Sequence, residues 1–447
     1  MDSAAIKSAV AGLMPEAIAD LETLVTHASC AFPGYPAEPV NAAAEAVLKL
    51  LRRSGFTNAE LVEMGGYPGI RGEIPGPPGA PTVLMYGHYD VQPAPMEQGW
   101  ETDPFTPVIK VDGRMYGRGA ADDKSGVIIN AYATRVLHHG LAVTLKVFIE
   151  GEEETVSHLE PYVEANPDWF RADAYIINDM GNIEVGRPVT TTALRGHIHA
   201  VITVRTLQGA LHSGVFGGPA PDAQMALIRA LDSLLDETGN VAVEGLHAYA
   251  WSGADFPEDL FRRQSGMVEG TELIGDGSIA SRLWSRPSVT VIGMDVAPVD
   301  GAANVLIPEA RARVALRIAP GQDKDEALAL LAHHLERAVP WGAQVTVEHG
   351  KVSPAFATSG EGVVARKAAA ALTDAFGAEP SEVGSGGTIP LLTTLAQVSP
   401  GAEFVLWGAE DVAQARIHGA NESVDLAELE RCIVAQALLL QSLGNQE

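Results

Sequence analysis

Apolar runs of strand length alternate with stretches of helical length along most of this chain, and that alternation limits its fold more than any single residue does. Thr82–Tyr86, Val143–Ile149 and Ala174–Ile177 read as strands, and Gly126–Leu137, between the first two, as a helix. Strands separated by helical lengths of chain build an α/β sheet with helices on both faces. Ahead of them, Ile6, Val10, Leu13, Ile18, Leu21 and Val25 recur at helical spacing, interrupted at Pro15. Val40–Arg53 follows as a second helix that stops at Gly55.

From about Thr192 the pattern changes. Ile198–Val204 and Ala312–Ile318 alternate apolar with polar or small residues, as half-exposed strands do, and an amphipathic helix, Asp222–Leu235, lies between them. After about Ser353 the α/β pattern returns with helix Gly362–Phe376, strand Glu403–Leu406 and helix Leu426–Leu443. One domain interrupted by another is the economical reading. Residues 1–191 plus 354–447 form the α/β domain, and 192–353 a smaller α+β insertion with one open sheet face.

At 447 residues the chain has room for two or three cores, at roughly 150 residues per domain. Its 57 Asp+Glu against 30 Lys+Arg leave a net charge of −27. Nucleic acid and anionic membrane surfaces both need a basic face, so neither is an expected partner. No apolar run reaches the ~18–20 residues of a spanning helix. The first residues lack a cationic start before an apolar core, so no secretory signal is expected. Cys30 and Cys432 can make neither a disulfide framework nor a thiolate zinc site. The expected location is the cytoplasm.

Open α/β sheets hold ligands outside the carboxyl ends of their strands, and polar residues gather there. Thr82–Tyr86 runs into Gly-His88-Tyr-Asp90, whose two side chains leave one face of an extended segment, a metal ligand beside an orienting carboxylate. Asp122-Asp123 precedes the helix at Gly126; one aspartate suffices as its cap, which leaves the other carboxylate for a cation. Glu152-Glu153-Glu154 follows the Val143–Ile149 strand, where adjacent carboxylates at the end of an apolar strand are best explained by a bound cation. Asp179 ends the next strand, and His418 follows Glu403–Leu406. Imidazoles and carboxylates without thiolate suit Zn²⁺, Mn²⁺ or Co²⁺. Three carboxylates and two imidazoles exceed one tetrahedral ion and suit two ions ~3.5–4 Å apart sharing a carboxylate and a water.

Gly87-His-Tyr-Asp-Val-Gln-Pro93, Gly99-Trp100, Pro104-Phe105-Thr106, Tyr116-Gly-Arg-Gly119, Asp122-Asp-Lys124, Leu211-His-Ser-Gly-Val-Phe-Gly-Gly218 and Gly386-Gly-Thr-Ile-Pro390 occur in this order. Through them nearly the whole chain resembles the di-metal amidohydrolases that include aminoacylase, carboxypeptidase G and the desuccinylases, and most of all the carnosinase-type dipeptidases. The resemblance implies a catalytic domain with a mixed, mostly parallel, phosphorylase/hydrolase-like sheet, interrupted by a lid and dimerisation domain. It implies two divalent metal ions, zinc first and manganese or cobalt as alternatives. Asp122 would bridge them, His88 and Asp179 completing one site and Glu154 and His418 the other. Glu153 would be the general base, Asp90 would orient His88, and the Asp122–Asp123 peptide would be cis. His212 would reach across a homodimer to stabilise the oxyanion. Asn304 would hold the substrate carbonyl, and Arg317 with Thr388 its C-terminal carboxylate.

The implied activity is metal-dependent hydrolysis of the amide of a dipeptide or similar short substrate with a free C-terminal carboxylate. Two departures from the family pattern stand out. Thr155-Val156-Ser157 replaces a small-Gly-Ser run, and Ser385 stands where an acidic residue commonly precedes the Gly-Gly pair. The second opens an alternative substrate class, N-acyl or N-carbamoyl amino acids. A metal-loaded but non-catalytic binding protein is the remaining alternative.

Overall fold

The structure, a computed structural model, describes residues 1–137 and 140–444. The helical spacing that opens the chain carries straight through Pro15: Ser3–Val25 is one helix, capped by Asp2, which accepts the Ala5 N–H at 2.8 Å. A proline cannot donate to the carbonyl four residues back. Here Pro15 and Ala11 both lie on the exposed side, where water can serve that carbonyl, and the buried stripe of Ile6, Val10, Met14, Ala17 and Leu21 continues unbroken. The expected interruption is therefore absent.

The chain divides into two compact units. The first is Met1–Thr192, Thr358–Glu382 and Leu391–Glu447; the second is Ala193–Ala357 with Val383–Pro390. Val383–Pro390, expected in the α/β domain, thus belongs to the second unit. Hydrogen bonds hold it there: Arg195 N donates to the Ser385 carbonyl, and Thr388 Oγ1 donates to the Arg195 carbonyl.

In the first unit six strands run in the order Glu60–Val62, Gly69–Ile74, Thr144–Glu150, Thr82–His88, Ala174–Ile177, Glu403–Leu406. The last four are mutually parallel and the first two are antiparallel additions at one edge. Both faces of the parallel strands are covered, which is why they read as continuous apolar runs and do not alternate. Val83, Met85, Leu145, Val147 and Ile149 join the core formed with helices Ser3–Val25, Lys124–Leu137, Val363–Phe376 and Leu426–Leu443. On the opposite face Phe148 packs against Tyr162, Trp169 and Phe170. Lys146, the one charge inside these runs, keeps its ammonium satisfied by donating to the Trp169 carbonyl at 2.6 Å.

The second unit is built on an antiparallel sheet in the order Ser288–Asp295, Glu309–Ile318, Gly196–Arg205, Gln344–Ser353. Ile198, Ala200, Ile202 and Val204, with Ala310, Ala312, Val314, Leu316 and Ile318, face a core shared with helices Ala223–Asp232 and Lys324–Ala338. Both helices lie on this one face, so the alternating residues face away from them, as the alternation of the two legible strands implies. Among the described residues no helix is long and apolar enough to cross a membrane.

Candidate metal centre

The carboxyl ends of the parallel strands carry the centre. His88 ends its strand in register with Glu150 on the neighbouring one, and Asp179 lies two residues past Ile177. The His88 ring is fully buried, and its Nδ1 lies 3.1 Å from the Asp90 carbonyl oxygen and 3.4 Å from Asp90 Oδ1. Donation from Nδ1 leaves Nε2 with its lone pair, the tautomer a metal ligand needs. Asp90 has a second task that the sequence did not reveal. Its Oδ1 accepts the Glu153 N–H at 3.0 Å and its Oδ2 the Glu154 N–H at 3.1 Å.

Asp122 arrives on the loop before helix Lys124–Leu137, and the Asp122–Asp123 peptide is cis. Asp123 caps the helix by accepting the Gly126 N–H at 3.2 Å, and its other oxygen accepts the His88 N–H at 3.1 Å. This closeness requires Gly87: a Cβ there would fall 2.8 Å from Asp123 Oδ2. The loop is held from the far end of the chain by Glu422, four residues past His418. Its Oε1 accepts the backbone N–H groups of Gly119, Ala121 and Asp122, and its Oε2 pairs with buried Arg118.

Two groups of candidate ligands result, His88–Asp122–Asp179 and Asp122–Glu154–His418, each with donor atoms within 4.8 Å of one another. Asp122 belongs to both. Its Oδ1 lies 3.1 Å from His88 Nε2 and its Oδ2 lies 3.0 Å from His418 Nε2. Asp179 Oδ1 is 3.6 Å from His88 Nε2, and Glu154 Oε2 is 3.2 Å from His418 Nε2. Gln92, quoted in the sequence motif but given no role there, donates to Glu154 Oε2 at 2.8 Å. His418 adopts a left-handed backbone conformation (φ 61°), as do Arg416 and Asn421 in the same loop. That loop is pinned by Gly419 N donating to the Arg416 carbonyl and by Asn421 Oδ1 accepting the Glu101 N–H.

The electrostatics follow from crowding carboxylates out of water. Loss of hydration, and then the charge of Asp179, push Glu153 well above the usual carboxylate range. Burial holds Asp179 up at about 6 against the opposing pull of His88, with Asp122 and Glu154 adding to the rise. Glu410, which the sequence reading passed over, is pushed up by burial and by Asp122 and Asp179. Conversely, bonds to Asp122 and Glu154 raise His418 to about 11. His88 is raised too: burial opposes its charge, but Asp122, Asp179 and Asp90 outweigh it. So many carboxylates gathered out of water need positive charge, and in a metal-free protein the two imidazoles supply it by holding protons. Nitrogen and oxygen donors in two groups joined by one carboxylate fit a pair of divalent cations.

The other four residues singled out in the sequence lie in the second unit, as two pairs. The ribbon Leu211–His212 with Val305–Leu306 brings His212 beside Asn304, whose carbonyl accepts the Ser213 N–H at 2.9 Å. His212 is exposed, and its Nδ1 accepts the Gly214 N–H at 3.1 Å, which leaves Nε2–H as an outward donor in the neutral ring. Arg317 Nη1 donates to Thr388 Oγ1 at 3.2 Å. Ser385 Oγ accepts the Gly387 N–H at 3.0 Å and so serves its own loop.

Residues 84–442 match the family described as Peptidase family M20/M25/M40. The chain is 42% identical over 373 residues to the cysteinylglycine-S-conjugate dipeptidase of Corynebacterium striatum, covering 82% of each chain. It is 30% identical over 380 residues to the Beta-Ala-His dipeptidase of Homo sapiens, covering 80% of this chain and 74% of that one. The structure of the di-peptidase Dug1p from Saccharomyces cerevisiae shares the fold with a TM-score of 0.83 at 22% identity, over 99% of this chain and 98% of that one. Human carnosine dipeptidase 1 does so with a TM-score of 0.79 at 24% identity, over 98% of each.

Proposed function

The chain belongs to peptidase family M20/M25/M40, and from that premise we propose that it is a metal-dependent dipeptidase cleaving short substrates with a free C-terminal carboxylate. One observation carries the reading: Asp122 turns one carboxylate oxygen to each of two histidines and so belongs to both groups of candidate ligands. His88, Asp122 and Asp179 would hold one cation and Asp122, Glu154 and His418 the other. Zinc is favoured by the nitrogen and oxygen donors, with manganese and cobalt as the other fitting ions. When bound, such cations polarise the amide carbonyl and make a nearby water easier to deprotonate.

The protein's own groups do the rest. Glu153 takes the proton from the attacking water and returns it to the departing amine, so it must bind a proton readily, as its raised pKa implies. Asp90 fixes the backbone of Glu153 and Glu154, and Gln92 steadies the Glu154 carboxylate. His212, whose Nε2–H is free to donate, would act on the developing oxyanion from across a homodimer formed through the second unit, and Asn304 would hold the carbonyl oxygen. Arg317 and Thr388 would take the C-terminal carboxylate. The two free, buried cysteines are in keeping with a cytoplasmic location.

One observation favours the neighbouring substrate class. Ser385 is uncharged and its hydroxyl is engaged within its own loop, so it offers no counter-charge for a free α-amine. A panel of free dipeptides and their N-acetylated forms on metal-reconstituted protein tests both readings. Faster turnover of the free-amine forms supports the dipeptidase; preference for blocked forms transfers the assignment to N-acyl amino acids.

A further inference from the structure

On the sheet face of the second unit that its helices leave uncovered, strand Gly196–Arg205 carries its odd-numbered residues, and Arg195 precedes them in the same alternation. His197 lies directly across from Arg317, and the His197 and His199 rings are 4.2 Å apart. On the other side, strand Gln344–Ser353 bulges between the partners of Ile198 and Ala200. The bulge depends on Gly350, where an added Cβ would fall 2.8 Å from His199 Cβ. It sets Lys351 beside both imidazoles.

Among the described residues, the charged groups that act most on Arg195, His197 and His199 are cationic: Arg317, Arg313 and Lys351. Burial and then these neighbours hold His197 down at about 4, and burial with Arg317 holds Arg195 down at about 10. Arg195 is only 8% exposed, and its Nε has no hydrogen-bond partner. Farther along the same strands, acids answer the cations: Arg205 meets Glu309 at 3.0 Å and Arg311 meets Asp295 at 3.5 Å. In a chain of net charge −27, the Arg195 and Arg317 guanidiniums and the Lys351 ammonium gather around two imidazoles, with Glu348, across from Val201, as the next acid along the strand. A bound anion would relieve their repulsion.

Building on the reading of Arg317 as anchor for the substrate's α-carboxylate, we infer that His197, His199 and Lys351 form an adjoining subsite for a second carboxylate, so that the protein selects substrates whose C-terminal residue has an anionic side chain. The spans agree. Residues opposite one another on antiparallel strands are ~4.5–5.5 Å apart at Cβ. The two carboxylate carbons of a C-terminal glutamate, joined through C–C bonds of ~1.5 Å, extend over a similar length.

Hydrolysis of Ala-Glu and of its neutral isostere Ala-Gln by the metal-reconstituted full chain tests the subsite. One charge-assisted contact predicts kcat/KM roughly tenfold higher for Ala-Glu. The advantage should shrink with added salt, and Lys351→Ala and His199→Asn should each bring the ratio toward one. A ratio near one in the unaltered chain overturns the subsite and leaves the dipeptidase reading standing. If neither dipeptide is cleaved, that reading fails, and calorimetry decides the subsite separately: glutarate must bind more tightly than butyrate and lose that advantage in Lys351→Ala, and equal binding overturns it. Should inorganic phosphate raise Ala-Gln hydrolysis to the Ala-Glu level, the cations serve a free anion and the substrate assignment is overturned.

Discussion

Asp90 accepts the backbone N–H of Glu153 through its Oδ1 at 3.0 Å. The residue two positions past His88 therefore sets the place of the proposed base, which follows the end of the neighbouring strand. Removing this carboxylate releases His88 and the Glu153–Glu154 backbone together. Asp90→Ala should weaken metal binding or turnover by about 10–100-fold, the usual cost of losing a partner that orients ligands. Metal titration and steady-state kinetics on the same preparation check it.

Glu153 belongs to neither ligand group, so its loss should separate binding from chemistry. Glu153→Gln is expected to keep both metal ions and lose at least about 100-fold in kcat, within the range of general acid–base catalysis. Metal analysis beside activity decides; retained turnover removes Glu153 from the role of base.

Glu422 and Arg118 are both buried, and three backbone N–H groups share the Glu422 carboxylate. Glu422→Ala would leave a buried guanidinium unpaired, a loss of about 3–5 kcal/mol in unfolding free energy. Glu422→Gln keeps acceptors for the N–H groups and should lose less. Urea unfolding at fixed metal concentration measures both.

Metal loading should depend steeply on pH. In the metal-free protein His418 holds its proton up to about 11, and His88 well above its ordinary range. A cation must displace those protons, so its apparent affinity falls as pH falls, by about tenfold per unit for each proton released. Calorimetric titration at about pH 6 and about pH 8, in buffers of different ionisation enthalpy, counts the protons. Affinity independent of pH would contradict the protonated state.

If His212 serves the other protomer, mixing inactive Glu153→Gln and His212→Ala chains should regenerate part of the activity. Its absence after proven subunit exchange would confine His212 to its own chain.

The candidate ligands were legible because chemistry and position coincide: His88, Asp179 and His418 follow apolar runs whose strand character is plain, and strand ends are where an α/β sheet gathers its functional groups. The supports were not. Gln92 and Glu422 act through hydrogen bonds to Glu154 and to the Gly119–Asp122 backbone, across separations in the chain that no local pattern encodes. Strands Ser288–Asp295 and Gln344–Ser353 also escaped notice. They lie at the two edges of their sheet and are largely exposed, so burial marks them weakly, even where Val345 and Val347 alternate toward the core. Pro15 misled in the other direction, since a proline on a helix's wet side need not end it.

The first unit is assembled from three separated stretches, and His418 comes from the last of them. During synthesis Asp122 and the candidate ligands near it in the chain leave the ribosome long before His418 does. If His418 completes the second proposed ligand group, a chain that stops short of this last stretch lacks one of those ligands, and peptide cleavage would have to wait for it.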